Sequence, residues 1–362
     1  MTQNVVVIGG GYGGIAVAKA LDDIARVTLV EPREAFVHNV AALRAVVDPA
    51  WQEKIFIPYG GLLAHGSIRR DRATLVSATS VELASGDRLP ADYVVLATGS
   101  SGPFPAKIED PSRGGADLAR LRDNLLRASH VLLLGAGAVG LEMAGEITSA
   151  WPGKTVTVVD PGSDLLAGRF PAEFRGILRD QLSALGVHLK LGSRLRTQPE
   201  PEAGSVRPFT VTTDEGEVIA ADLWLPCFGG SVDTGYLDPA LAAARQPDGR
   251  LAVTPQLNVF GQDRVYAVGD VTAVPEMKMA RNAGQHAEVV AANVRARILG
   301  QGDPVAYEPA ADAIVLPLGP AGGASYEASV GVLGAADTAR FKSTFYLERY
   351  REMLGTADSL AG

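Results

Sequence analysis

Cysteine is almost absent from this 362-residue chain: Cys227 stands alone. One thiol forms no internal disulfide, no CxxC redox centre and no cysteine-based zinc site. It fits a reducing compartment. Positive charge is also scarce, with 33 Lys and Arg against 41 Asp and Glu and a formal net charge of −8. That balance excludes a nucleic-acid binder, which needs a basic face to neutralise phosphates, and a polybasic membrane-surface protein. No apolar run reaches the roughly 18 residues a spanning helix needs. The first residues lack a basic region and apolar core, and Thr2 stands where N-myristoylation requires glycine. Neither a secretory leader nor a myristoyl anchor is therefore expected. His65, His130 and His188 show no metal-ligand spacing, so no metal site is expected. What remains is a globular composition, 47% hydrophobic and 20% charged, with length for two or three domains. A soluble, cytoplasmic enzyme is expected.

Glycine, by contrast, is plentiful and placed twice in one design. Val5–Ile8 runs into Gly9-Gly10-Gly11-Tyr12-Gly13-Gly14, and Val131–Leu134 runs into Gly135-Ala136-Gly137-Ala138-Val139-Gly140. Each apolar run reads as a buried parallel strand. Each GxGxxG is followed by a small-residue helix and a second strand, Arg26–Val30 or Val156–Val159. Those strands end at Glu31 and Asp160, both before proline (Pro32, Pro161). The acids lie 22 and 25 positions beyond the first glycines, against about 20 in a dinucleotide fingerprint. The first glycine turns the chain, the second admits a pyrophosphate and the third lets helix and strand pack. The phosphates meet the free N–H groups of the helix N-terminus, and each acid suits a ribose diol. A carboxylate repels a 2′-phosphate, so Asp160 favours NADH over NADPH.

Asp92–Ser100 reads as a further buried strand, followed by a hinge at Gly102-Pro103-Phe104-Pro105. Ala221–Gly230 reads as the matching strand–turn of the second unit, and Arg264–Asp270 as another strand ending at an acid. Ala283, Ala287, Val290, Val294 and Ile298 recur at helical spacing, predicting a helix from about Ala280 to Leu299.

These motifs resemble the FAD-dependent pyridine-nucleotide oxidoreductases, flavoproteins with two dinucleotide-binding domains. His38–Ala45, Ala97–Pro105, Gly140–Ala144 and Lys278-Met279-Ala280 resemble in particular the ferroptosis-suppressor, AIF-homologous branch of NAD(P)H:quinone oxidoreductases, related to type II NADH dehydrogenases. The resemblance runs over most of residues 3–300. It implies an α/β fold of two Rossmann-like domains, the pyridine-nucleotide domain (108–251) inserted in the FAD domain (1–107 and 252–305), and a short C-terminal α+β region (306–362). It places FAD on Gly9, Gly11, Tyr12, Gly13, Gly14, Glu31, Pro32, Asn39, Arg44, Ala97, Thr98, Gly99, Gly269, Asp270, Lys278, Met279 and Ala280. It places the pyridine nucleotide on Gly135, Gly137, Val139, Gly140, Glu142, Asp160 and Gly229. The C-terminal region matches loosely, and Thr2 departs from the myristoylated animal members, so membrane attachment does not transfer.

With no second cysteine, electrons must leave reduced flavin directly. The expected reaction carries hydride from NADH to flavin and two electrons on to a quinone-like acceptor. A ferredoxin- or rubredoxin-type reductase and a slow, AIF-like NADH sensor are the alternatives. Lys278 and Glu142 resemble the pair that flanks nicotinamide and flavin. The helix N-terminus near Ala280 stabilises flavin anion by about 0.3–2 kcal/mol, where about 1.4 kcal/mol is 30 mV for a two-electron couple. His38 is either a proton donor beside the flavin or, with Asn39, a helix cap. Cys227 reads as an inert core thiol, and His286, inside the long helix, as a minor candidate. Gly319–Ala324 reads as a flexible loop, either bordering the acceptor pocket or a plain turn. Asp337–Leu354 reads as helical, with Phe341 and Phe345 four apart, packed on the body or a dimer partner. The sequence leaves a homodimer and peripheral membrane contact open.

Overall fold

The two aliphatic runs before the glycine motifs become the central strands of two parallel sheets. The structure, a computed structural model, describes residues 2–356. In the first sheet the order is Val265–Ala267, Tyr93–Leu96, Asn4–Ile8, Arg26–Val30, Ser67–Arg69. In the second it is Val187–Leu191, Thr155–Asp160, His130–Leu134, Leu223–Pro226. Every pairing within these sheets is parallel. The aliphatic runs suit this because both faces of a parallel sheet are covered by helices. Val5, Val7, Val27 and Leu29 are completely buried on one unit, and Leu132, Leu133, Val156 and Val158 on the other.

In each sheet the strand before the glycines has its sequence successor on one side and a much later strand on the other. That reversal opens a crevice at the strands' carboxyl ends, where α/β sheets bind their ligands. The first helix of each unit, Tyr12–Leu21 and Ala138–Ala150, begins at that crevice. Val265–Ala267 comes from beyond the second unit yet joins the first sheet beside Tyr93–Leu96. The long helix Ala280–Leu299 then returns along Tyr12–Leu21 and ends at Gly300, whose φ of 64° closes it in the left-handed conformation. Its bounds are those the periodicity predicts. Among the described residues, no helix is long and apolar enough to cross a membrane.

The C-terminal region departs from its sequence reading twice. Gly319–Ala324 is no free loop: it closes a hairpin between Ala313–Leu318 and Gly322–Glu327. Gly319 has φ +70°, and a Cβ there would sit 2.0 Å from Ser149 Oγ, so the glycine is needed for a tight approach to the second unit. Asp337–Leu354 is not one helix but two, Ala335–Lys342 and Leu347–Met353. They are separated at Phe345 and Tyr346, with φ of 50° and 58°. The region packs on the body, as expected, and touches both units. Phe345 joins the core of the second unit, and Leu347 and Leu354 join the core of the first.

Candidate functional site: two nucleotide crevices and the seam between them

The glycines of each motif divide into those the protein's own packing requires and those it does not. Gly9 (φ +101°) and Gly135 (φ +118°) make the turn. A Cβ at Gly14 would lie 1.8 Å from the Gly9 carbonyl oxygen, and one at Gly140 1.9 Å from that of Gly135. These contacts seat helix on strand. Gly11 and Gly137 are different. Their φ values, −79° and −77°, suit any residue, and a Cβ there would meet no atom within 4 Å. No contact among the described residues demands glycine at either place. The space kept clear lies at a helix N-terminus, where free N–H groups and the dipole favour a phosphate. Both crevices therefore fit a diphosphate-bearing nucleotide.

The two acids do the same local work. Glu31 accepts the N–H of Gly10 at 2.6 Å, and Asp160 accepts the N–H of Ala136 at 2.6 Å. Each carboxylate thus tethers the residue between the first two glycines. Glu31 is 2% exposed and is gripped by the fork of Arg33, with Nε and a terminal nitrogen at 2.8 and 2.9 Å. Burial pushes this carboxyl up, but the Arg33 bonds more than offset it, and its pKa falls below the ordinary value. Tyr59 completes the enclosure by donating to the Gly10 carbonyl. Asp160 is more open and also accepts Gly162 N–H at 2.6 Å. Pro32 is exposed beside the first acid, and Val139 packs partly buried on the second unit's core.

Around the first crevice, Ala97 lies under Gly9, whose added Cβ would meet the Ala97 carbonyl oxygen at 2.4 Å. Thr98 shares a hydrogen bond with Tyr236 at 2.8 Å, and Gly99 turns at φ +67°. Asp270 accepts Ser100 Oγ–H at 2.6 Å and faces Lys107 at 3.6 Å. Met279 precedes the N-terminus of the long helix, where Ala280 is the first residue and no side chain caps it. Lys278 donates to the Val274 carbonyl at 2.9 Å, and burial lowers its proton affinity against the pull of Glu276 and Asp270. Beside this segment a cavity of about 460 Å³ is lined by Met277, Met279, Tyr307 and Ala310 among others. Gly229 turns at φ +73°, and a bridge between Ser101 and Ser231 binds the two chain passages that link the units.

The seam between the units gathers charge. Arg44, in the helix Ala42–Val47, donates to Glu146 at 2.7 Å, with Glu146 1% exposed. Glu142 lies one turn earlier on the Glu146 face. Burial pushes its carboxyl up to about 7; Glu146 adds to this, while Lys342 and Arg44 oppose it. Lys342 and Arg44, rather than Lys278, are the cations that act on Glu142. They also flank the Phe345 ring, at 5.2 and 5.4 Å from its centroid. His38 is completely buried. Its Nε2 lies 2.9 Å from the Phe345 carbonyl and its Nδ1 3.2 Å from Tyr12 Oη, which accepts from Val40 N–H. Burial, with the charge of Lys342, lowers its pKa to about 4 despite the Phe345 contact. The His38 side chain caps no helix. Asn39 accepts the N–H of Ile108 instead.

Cys227 sits against the second motif, its Cβ 3.2 Å from where a Gly140 Cβ would be. Burial pushes the thiol up to about 12, which keeps it protonated and unreactive. His65, His130 and His188 are exposed. Sequence reasoning missed Arg33, Lys342, Glu146 and Glu276. It undervalued His286, which is completely buried and whose place three positions from Ala283 on the apolar face was the available signal.

A family model described as pyridine nucleotide-disulphide oxidoreductase matches residues 3–287. Apoptosis-inducing factor homolog B of Dictyostelium discoideum is 30% identical over 380 residues, covering 99% of this chain and 98% of that protein. Ferroptosis suppressor protein 1 of Homo sapiens is 33% identical over 323 residues, covering 87% of this chain and 86% of that protein. Among solved structures, the sulfide:quinone oxidoreductase of Aquifex aeolicus superposes with a TM-score of 0.80 at 17% identity, over 99% of this chain and 93% of that one.

Proposed function

Because this chain belongs to the pyridine nucleotide-disulphide oxidoreductase family, in the branch of the ferroptosis suppressor and apoptosis-inducing-factor homologues, and is an FAD-dependent NAD(P)H oxidoreductase, we propose that it is an NADH:quinone-type oxidoreductase with no thiol relay. The observation that carries this reading is Cys227. It is the chain's one cysteine, half-buried and held protonated. An internal disulfide cannot receive the electrons, so they leave the flavin directly. The branch resemblance supplies the quinone, and the 460 Å³ cavity beside Met277 and Met279 has the volume of a small-ligand site.

FAD, when bound, supplies the hydride-accepting ring. The chain's residues bind and orient. Gly11 and the first helix's N-terminus take the FAD diphosphate, and Asp270 with Lys278, Met279 and Ala280 takes the flavin side. Gly137 and its helix N-terminus take the pyridine nucleotide. Asp160, whose charge repels a 2′-phosphate, selects NADH. Glu142 holds a proton near neutral pH and delivers it at the seam, beside Lys342. His38, enclosed by Tyr12 and Phe345, acts through the fold rather than on the acceptor. We assign residues 1–107 and 252–305 to the FAD unit, 108–251 to the pyridine-nucleotide unit and the rest to the C-terminal region. The lone reduced thiol supports a cytoplasmic location.

The test is an anaerobic comparison of acceptors with NADH as donor. Menadione or a short-chain ubiquinone is expected to turn over at least tenfold faster than an iron–sulfur carrier. Faster reduction of the carrier would reassign the enzyme as a carrier reductase. Slow reoxidation by every acceptor, with NADH-driven dimerisation, would make it a sensor.

A further inference from the structure

Two buried polar side chains, His286 and Glu276, take no part in the roles above. His286 lies inside the Ala280–Leu299 helix with no exposed surface. An imidazole there needs a partner for each nitrogen. Nδ1 accepts the backbone N–H of Gly269 at 3.0 Å. A backbone N–H only donates, so Nδ1 carries a lone pair, and the neutral ring keeps its proton on Nε2. Nε2 lies 2.9 Å from Glu276 Oε1, and both side chains are 1% exposed. The other Glu276 oxygen accepts Tyr307 O–H at 2.6 Å and Ala310 N–H at 2.8 Å. The Tyr307 ring meets the imidazole edge to face, 4.3 Å between centroids. The outer oxygen of Glu276 is thereby occupied, and the inner one, in close contact with Nε2 but outside hydrogen-bond geometry, favours the ring proton on that nitrogen.

The other end of this chain of contacts is the flavin side of the site. Gly269, at φ +75°, opens the short 3-10 turn Gly269–Val271 that presents Asp270. The turn must hold a left-handed backbone angle, open to glycine, while offering a carboxylate, and the His286 ring receives its leading N–H. We propose that His286, its tautomer set by Glu276, is the positioning residue that keeps the Gly269–Asp270 turn in its flavin-binding form. A ring protonated on Nδ1 would confront the Gly269 N–H with a second donor. This role concerns how FAD is held and does not depend on the acceptor.

The test uses the full FAD-loaded chain. Imidazole ¹⁵N NMR is expected to show His286 as the neutral Nε2–H tautomer; an Nδ1–H or doubly protonated ring at neutral pH would overturn the proposal. His286→Leu removes the acceptor, whereas His286→Asn keeps an oxygen near the Nδ1 position. By the cost of an unmet buried donor, the Leu variant is expected to bind FAD about tenfold or more weakly. The Asn variant is expected to stay within about threefold of the parent. NADH binding at the Gly137 crevice is expected to be unchanged in both. Equal FAD affinity in parent and Leu variant, or equal loss in Leu and Asn, would contradict the proposal. Should the Leu variant fail to fold, Glu276→Gln decides. It is expected to move the ring proton to Nδ1 and weaken FAD, and a Gln variant with parental tautomer and affinity would overturn the assignment.

Discussion

The His38 ring meets the backbone carbonyl of Phe345 at 2.9 Å across 307 positions of sequence. The contact joins the first unit to the C-terminal segment at a residue held in a costly conformation. Phe345 has φ +50°, and a non-glycine residue in that region costs on the order of 1–3 kcal/mol. Its surroundings offset this. The ring is completely buried, edge-on to Trp51 at 5.0 Å and flanked by Arg44 and Lys342. The same segment places Lys342 beside Glu142 and Tyr350 against Tyr12.

This contact makes the fold acid-sensitive in a defined window. Only a neutral His38 can accept from Tyr12 at Nδ1 while donating to Phe345 from Nε2. Its folded pKa of about 4 lies below the unfolded value of 6.5. Between these values the unfolded chain binds more protons, so stability is full above pH 6.5 and is lost as pH falls towards 4. The ceiling is about 3 kcal/mol. The titratable neighbours are Tyr12, Tyr350 and Lys342. Urea midpoints measured from pH 7 to 4.5 are expected to fall more steeply for the parent than for His38→Gln. Parallel curves would remove His38 from the account.

The glycines separate ligand space from packing. Gly11→Ala and Gly137→Ala add a methyl group into open space at an ordinary φ. Their apo stability is expected to stay within about 1 kcal/mol of the parent. Gly11→Ala is expected to lose FAD and Gly137→Ala to raise the KM for NADH about tenfold or more. Gly14→Ala drives its Cβ onto the Gly9 carbonyl and is expected to destabilise the fold itself by several-fold more, on the order of 3 kcal/mol. Thermal melting and flavin content distinguish the three.

The proton role proposed for Glu142 predicts a pH signature. Its carboxyl is protonated below about 7 and charged above. Quinone reduction consumes protons, so the rate of acceptor reduction is expected to decline as pH rises through that value. Glu142→Gln is expected to be slower and flat across it, while NADH-driven flavin bleaching keeps the parental pH dependence. Glu146→Gln removes the neighbouring charge that adds to the shift, so the midpoint is expected to move down. Rapid-mixing measurements of each half-reaction check these outcomes.

Much of this site was legible because glycine leaves a mark that packing cannot hide. The turns at Gly9 and Gly135 and the close seats at Gly14 and Gly140 each exclude a side chain, so the motif spelled out both crevices. The strand-ending acids and the Ala280–Leu299 helix were readable for similarly local reasons. What escaped was set by distant partners. Nothing near His38 announces Phe345, nothing near Glu142 announces Lys342, and Glu276 meets His286 only because a loop folds back on its helix. The spacing of Phe341 and Phe345 suggested one helix. The cost of a left-handed break there is offset by tertiary contacts that sequence spacing does not show.

The proposed preference for NADH rests on the charge of Asp160. Asp160→Asn keeps a side-chain oxygen for the N–H groups of Ala136 and Gly162 and removes the repulsion of a 2′-phosphate. The ratio of kcat/KM for NADPH to that for NADH is expected to rise about tenfold. An unchanged ratio would place cofactor choice elsewhere.

Direct exit of electrons from the flavin is tested most sharply by an anaerobic titration of the purified protein and its Cys227→Ser variant, followed in the visible spectrum. One equivalent of NADH is expected to bleach the flavin band in both, and one equivalent of menadione to restore it in both at equal rates. A band that stays bleached with menadione, or that recovers only when Cys227 is present, would contradict a quinone reductase without a thiol relay.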